Sequence, residues 1–436
     1  MEAATERPLR GAWLILGLLW ALAILNYLDR IMITTMRGSL VEAIPMTDAQ
    51  FGLLTSAFLW VYGLLSPLAG FLADRFSRSR IIIGSVLVWS AVTWLTAQAD
   101  TFEELLFARA MMGISEASYI PAALALITDY HRGTTRSLAV GIHMTGVFIG
   151  GGVAGVGGWL AEKYTWNFAF QLFGVAGVVY AFVLFMLLRD APQRDAPAEM
   201  QDRGSRRVTF VAALGALLTR PSYLILLAYW GLLSITGWAV AGWMPSFLTE
   251  QFHLSQGKAG LLATGCSQAA SLVGVLVGGA WADRWCRADD RGRVFVPIVG
   301  LLVAAPAILL VTNVDVLPWA LAGLVIFGLT IAFNDANMMP ILCQVADERY
   351  RATGYGILNL FGCLIGGLSI YAGGVLRDAN VNVSVVFRFA TIGMAICVVL
   401  LLRIAHVIKA GRVSDGRFTT IPNSAGVSVS EAAADL

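Results

Sequence analysis

The stretch Gly11–Met36, GAWLILGLLWALAILNYLDRIMITTM, decides the fold. It is long and apolar enough to cross a bilayer, which takes about 20 helical residues. Yet Asp29 and Arg30 stand side by side within it. On insertion scales each charge at the centre of a membrane helix costs about 2.5–3.5 kcal/mol, so such residues face a protein interior or a watery cavity. Asn26, Tyr27, Asp29 and Arg30 therefore mark a first span with work to do inside a helical bundle.

Apolar runs of this length recur along nearly the whole chain. Of its 436 residues 58% are hydrophobic and 13% charged, with a mean hydropathy of +0.73. That composition belongs to polytopic membrane proteins. Spans are expected at about 12–36, 51–73, 81–99, 103–128, 137–160 and 167–188, then at 222–248, 258–282, 294–312, 318–343, 353–376 and 385–405. The expected fold is an all-α membrane protein with twelve transmembrane helices in two pseudo-symmetric six-helix bundles. Residues 1–190 would form the first bundle, 191–220 a polar cytoplasmic linker, 221–410 the second bundle and 411–436 a disordered tail.

Twelve spans put both termini on one side. Arg75, Arg78, Arg80, Arg132 and Arg136 fall in loops on that side, as do Arg284, Arg287, Arg291, Arg293, Arg349 and Arg351. The opposite loops are poor in Lys and Arg, so positive-inside bias makes the termini cytoplasmic, in a bacterial-type inner membrane. The N-terminal apolar segment is too long, and too charged at Asp29 and Arg30, for a cleaved signal peptide.

The halves repeat each other. Gly70-Phe-Leu-Ala-Asp74-Arg75-Phe-Ser-Arg78 returns as Gly279-Ala-Trp-Ala-Asp283-Arg284-Trp-Cys-Arg287, and Thr135-Arg136 through Ile142 has its counterpart in Tyr350-Arg351 through Ile357. Two blocks repeated in order point to a parallel duplication with a binding site between the halves near the midplane.

The intramembrane charges are the candidate site. Arg109 and Glu116 lie seven residues apart on one face of the fourth span. With Asp29 and Arg30 they suggest coupling, because an anion that claims Arg30 eases protonation of a neighbouring acid, and each event favours the other. Arg109 could hold Glu116 ionised or bind a substrate carboxylate directly. In the second half Asp335-Ala-Asn337-Met-Met-Pro340 lines up with Glu116-Ala-Ser118-Tyr-Ile-Pro121, which makes Asp335 a third titratable candidate and Asn334 and Asn337 polar lining. His143 is a candidate proton relay or substrate donor. Tyr62, Trp60, Tyr119, Trp238 and Trp243 are candidate aromatic walls. Cys266, Cys286, Cys343, Cys363 and Cys397 have no metal-binding spacing. The glycines from Gly150 to Gly158 carry no Gly-Lys-Ser/Thr and read as helix-packing positions rather than a phosphate loop. Neither nucleotide nor nucleic acid is an expected partner, and protons are the only coupling species.

Gly70-Phe71-Leu72-Ala73-Asp74-Arg75-Phe76-Ser77-Arg78-Ser79-Arg80, with its echo at Gly279–Arg287, resembles the signature loop of the major facilitator superfamily, with Ser77 where the family usually has Gly. That resemblance implies a secondary transporter working as a monomer by alternating access, not an enzyme. Tyr27-Leu-Asp29-Arg30, Ser56-Ala-Phe58-Leu-Trp60-Val-Tyr62, the Arg109/Glu116 spacing and Asn359 in Gly356-Ile-Leu-Asn359-Leu-Phe-Gly362 resemble the anion:cation symporters. This implies proton-driven uptake of a small organic anion such as a sugar acid. Asp29 and Glu116 would be the proton sites, and Arg30 and Tyr62 would meet the substrate, with Tyr27, Arg109, His143 and Asn359 beside them. Val147 and Cys363 stand where sugar-acid carriers tend to place polar residues. The Asn-Tyr-x-Asp-Arg block, Gly113-Ile-Ser-Glu116-Ala-Ser-Tyr119 and Ser66-Pro67 also resemble the Spinster-like exporters of lysolipids and related amphiphiles, the second reading. Asp74, Arg75, Arg78 and Arg136, with Asp283, Arg284 and Arg351, would be gating groups that latch the halves at the cytoplasmic span ends.

Overall fold

The computed structural model describes residues 8–131, 135–192, 210–347 and 350–414; at 70–71, 73–74, 210–213, 352 and 410–414 it describes the backbone alone. Twelve helices are long and apolar enough to cross a membrane. They are Ala12–Thr35, Asp48–Ala69, Arg78–Thr96, Phe102–Tyr130, Arg136–Lys163 and Trp166–Leu187 in the first half, and Pro221–Phe252, Gln256–Cys286, Gly292–Asn313, Leu317–Val345, Thr353–Asp378 and Val383–Lys409 in the second. Each lies within a few residues of its expected place. No strand occurs among the described residues, as expected where lipid leaves backbone groups no partner outside the helix.

Successive spans alternate in direction. The loops at 36–47, 97–101, 164–165, 253–255, 314–316 and 379–382 therefore gather on one side, called here the far side, away from the termini. In the first half the helix starts on that side are capped from the sequence. Thr47 accepts from the Gln50 amide while the Gln50 side chain accepts from the Thr47 amide, a reciprocal capping box at the head of the second span. Thr101 and Thr165 cap the fourth and sixth spans by the one-way bond alone, accepting the Glu104 and Phe168 amides.

Two spans are broken. The fourth is a helix Phe102–Glu116 followed by a second, Tyr119–Tyr130. Pro121 supplies the cause, since it has no N–H to offer the carbonyl of Ala117 and its ring crowds that carbonyl. Glu116 thus ends the first piece, where the ladder opens. The fifth span breaks at Ala154, between Arg136–Val153 and Gly155–Lys163. Here the glycines permit close approach to neighbours on both sides. A Cβ on Gly150 would lie 2.3 Å from the Ile24 carbonyl oxygen of the first span, and one on Gly155 2.6 Å from Leu261 Cα of the eighth.

The linker differs from expectation. Part of it, Phe210–Leu218, is a helix packed on the seventh and eleventh spans, with Leu217 fully buried. The apolar run FVAALGALL there is enough to hold a short helix against the bundle. The last helix continues to Ser414, three residues past the expected start of the tail; 415–436 lie outside the described residues.

The halves meet chiefly along two seams. In one, the second span packs on the eleventh: Ser56 Oγ donates to the Gly367 carbonyl at 2.6 Å and Trp60 Nε1 to the Leu364 carbonyl at 3.1 Å. In the other, the fifth packs on the eighth: the Gly155 amide donates to Thr264 Oγ1, which donates to the Gly152 carbonyl.

Candidate functional site

Residues i and i+1 on a helix diverge by about 100°, so Asp29 and Arg30 cannot serve one another. Arg30 turns toward the fourth span, where its Nη2 lies 3.0 Å from Glu116 Oε2. Asn26, one turn earlier on the same face, donates to the same oxygen at 2.8 Å. The break after Glu116 places that carboxylate against the first span, and both partners are almost fully buried. The Arg30 guanidinium also sits in an aromatic cage, with Cζ 4.7 Å from the Tyr27 ring centre, 5.0 Å from Phe58 and 4.5 Å from Tyr62. Such faces favour a cation through their quadrupoles.

Arg109 approaches Phe58 from another direction, with Cζ 4.9 Å from the ring centre. It donates to the Arg30 carbonyl at 3.3 Å and to Met112 Sδ at 3.1 Å, and it is fully buried. Its expected hold on Glu116 is therefore taken by Arg30, and direct contact with substrate gives way to a position behind the cavity wall. Asp29 is buried on another side of its helix, near Trp89 and Thr93 of the third span, whose Nε1 and Oγ1 complete no hydrogen bond to it.

Between the halves lies a cavity of about 450 Å³. Tyr27, Arg30 and Tyr62 line it from the first half, and Asp335 and Asn359 from the second. Among the described residues Arg30 and Asp335 are its only charged lining groups. Much of the remaining wall is apolar, with Trp230, Leu233, Trp238, Met244, Phe327 and Met338 on the second-half side. Val147 and Cys363 also border it.

Several candidates fall elsewhere. His143 is fully buried outside the cavity lining, edge-on to Tyr119, so its substrate-binding role is not supported by its position. Tyr119 and Trp243 are structural: each is fully buried and donates to a backbone carbonyl, of Leu19 and Ile370 respectively. Trp60 is part of the seam rather than the cavity wall. Asn334 accepts from Tyr229 Oη at 2.7 Å and Asn337 donates to the Phe333 carbonyl, so both are satisfied away from the cavity and Asp335 alone of that trio reaches it.

Among the described residues, the hydrogen bonds joining the halves all lie in the far-side portion or the middle, ending at Asn359 Nδ2 to Ser66 Oγ, 3.3 Å. Toward the termini the expected gating groups partner within their own halves. Arg78 pairs with Asp129, Asp283 with Arg293 at 3.3 Å, and Arg351 donates to the Cys343 carbonyl. Arg75, Arg136 and Arg284 are exposed, and the Asp74 side chain lies outside the described residues. The cavity is thus closed on the far side, and the hydrogen-bonded seam between the halves ends before the terminal side.

That closure rests on a network the sequence reading missed. Asp48 at the head of the second span takes Arg377 Nε at 3.1 Å and also pairs with Arg37. Arg377 reaches on to Glu250 of the seventh span at 3.0 and 2.5 Å. Asp378 accepts the amides of Asp48 and Ala49 at 2.8 and 2.9 Å, capping the second span from across the interface. The available signal was an acid in the first turn of one span and a lone arginine ending another.

Two bundles around a central cavity that is closed on one side define a membrane transporter of the alternating-access kind. The chain belongs to the Major Facilitator Superfamily, whose sequence profile matches residues 19–370 and 233–422. It is accordingly a multi-pass integral membrane transporter, not an enzyme. It is similar to an MFS-type efflux pump of Mycolicibacterium smegmatis, 25% identical over 384 residues that cover 85% of each chain. It is also similar to protein spinster homolog 1 of Homo sapiens, 28% identical over 320 residues, 70% of this chain and 60% of that one. With the sphingosine-1-phosphate transporter SPNS2 of Mus musculus it shares 27% identity over 394 residues, 86% of this chain and 72% of the relative. Its fold matches the crystal structure of a bacterial homologue of the human lysosomal transporter Spinster, inward-facing and unoccupied, with a TM-score of 0.73 at 22% identity, covering 93% and 98% of the two chains.

Proposed function

We propose that this protein moves an amphiphile with an anionic headgroup across the membrane together with protons. The observation that carries this reading is the cavity itself, in which one caged cation, Arg30, faces a mostly apolar wall. An acyl or similar chain fits that wall, and a phosphate or carboxylate fits the guanidinium fork. The Spinster and SPNS2 relatives and the efflux pump support the same reading over small-anion uptake. A sugar acid fits less well. Its hydroxyls would meet Val147, Cys363 and tryptophan faces, and an unpaired buried hydroxyl costs about 1–3 kcal/mol.

The coupling step follows from a competition. Arg30 cannot keep Glu116 at 3.0 Å and also give its fork to a headgroup. When cargo takes Arg30, Glu116 is left as a buried carboxylate, which a proton neutralises. Proton and cargo thereby favour each other's binding through Arg30. Glu116 is the coupling acid in this scheme, Asp29 a second buried acid behind it. With the termini in the cytoplasm, the described arrangement is the one open inward. Arg75, Arg78, Arg136, Asp283, Arg284 and Arg351 then come together across the interface when the cavity opens outward.

The test is flux in proteoliposomes made with an outward-directed gradient of a fluorescent lysolipid. Protein-dependent loss of the lysolipid, abolished in Arg30→Ala, is the expected result. Transport of sugar acids with no lysolipid movement would overturn it.

A further inference from the structure

Asp335 has no role in the scheme above. It projects from the tenth span into the cavity, is solvent-exposed there, and makes no ion pair or hydrogen bond with a described residue. Its continuous helix, Leu317–Val345, holds it at a fixed height, while its neighbours Asn334 and Asn337 are tied back into the bundle. Across the cavity stands Arg30, the other charged lining group among the described residues. Tyr27 and Tyr355 line the same cavity.

The charges do not balance for a purely anionic cargo. Arg30 already has Glu116 behind it, and Asp335 has no cation of its own. An anion bound at Arg30 would place a second negative charge in the same cavity as Asp335, an arrangement that works against binding. A cargo that carries its own positive group beside the anionic one removes this conflict, since its ammonium falls toward Asp335 and the tyrosine faces. Like-charge repulsion and opposite-charge attraction then select the same ligand.

We infer that Asp335 is a specificity-determining residue, and that the cargo is a zwitterionic amphiphile whose cationic group is held at Asp335 while its anionic group meets Arg30. This rests on the amphiphile reading above and narrows it.

The experiment is equilibrium binding of two lysolipids of identical chain, lysophosphatidylcholine and lysophosphatidylglycerol, to the full-length protein in nanodiscs. Wild type, Asp335→Asn and Asp335→Glu are compared, each checked for thermal stability. Wild type is expected to bind the zwitterion roughly two- to fivefold tighter, the return on one partly exposed charge pair. Asp335→Asn should erase that preference through weaker zwitterion and equal or tighter anion binding. Asp335→Glu should keep the sign of the preference. A preference that survives Asp335→Asn, or a wild type that favours the anionic lysolipid, overturns the inference and leaves the amphiphile reading standing. If neither lysolipid binds any of the three proteins, the amphiphile reading falls and the inference falls with it.

Discussion

At the scale of single residues, the arrangement turns on which acid Arg30 meets. Removing one member of a buried ion pair leaves the other charge without compensation and destabilises by about 3–5 kcal/mol. Arg30→Ala should therefore lower thermal stability well beyond the loss of a few contacts. Adding Glu116→Gln should recover most of the loss, because the stranded charge is gone. A double-mutant cycle of melting temperatures, read by a thiol-reactive dye in detergent, checks this, and additive losses would separate the two residues. Glu116→Gln alone should end proton-driven accumulation while sparing exchange of cargo across the membrane, measured as counterflow. The sequence made Asp29, Arg30, Arg109 and Glu116 legible as one functional set, because charge in an apolar span is costly. It did not reveal their pairing. Asp29 stands next to Arg30 in the chain but diverges from it on the helix. The true partner, Glu116, is 86 residues away on a span whose break re-aims it.

At the scale of elements, the twelve spans were legible because lipid imposes length and apolarity on each of them. The seams were less so. Gly366, Gly367, Gly373 and Gly374 are each a place where another element lies too close for a side chain. A Cβ on Gly374 would lie 2.2 Å from the Asp48 carbonyl oxygen at the head of the second span. Backbone cannot yield there as a flexible side chain could, so Gly374→Ala should push the eleventh span off the second and loosen the far side. Cys363 on the cavity wall supplies a natural reporter. With the other four cysteines replaced by serine, a membrane-impermeant maleimide added from the far side should label Cys363 faster in Gly374→Ala than in the parent. An unchanged rate would mean the seam tolerates the methyl group without opening. The linker helix Phe210–Leu218 escaped the sequence reading because the arginines and prolines around it outweighed nine apolar residues.

At the scale of the whole molecule, alternation needs two states close in free energy, so that cargo and protons can move the balance between them. The far-side network of Arg37, Asp48, Glu250 and Arg377 is suited to that size of effect. Arg377 is 11% exposed at its side chain and Glu250 48%, so each pair adds on the order of 0–1 kcal/mol. The two pairs that share Arg377 together add about 1–2 kcal/mol, which converts to about a 5- to 30-fold change in population. Such a latch biases the closed state without locking it. Arg377→Ala should then raise the far-side-open population by that factor, seen as a longer component in the distance distribution between spin labels at Asp100→Cys and Val316→Cys, one in each half. Arg377→Lys should recover little of the closure, since one ammonium cannot serve Asp48 and Glu250 with a planar fork. A distribution unchanged in both variants would assign the closure to the glycine seam alone and reduce the charge network to a by-product of it.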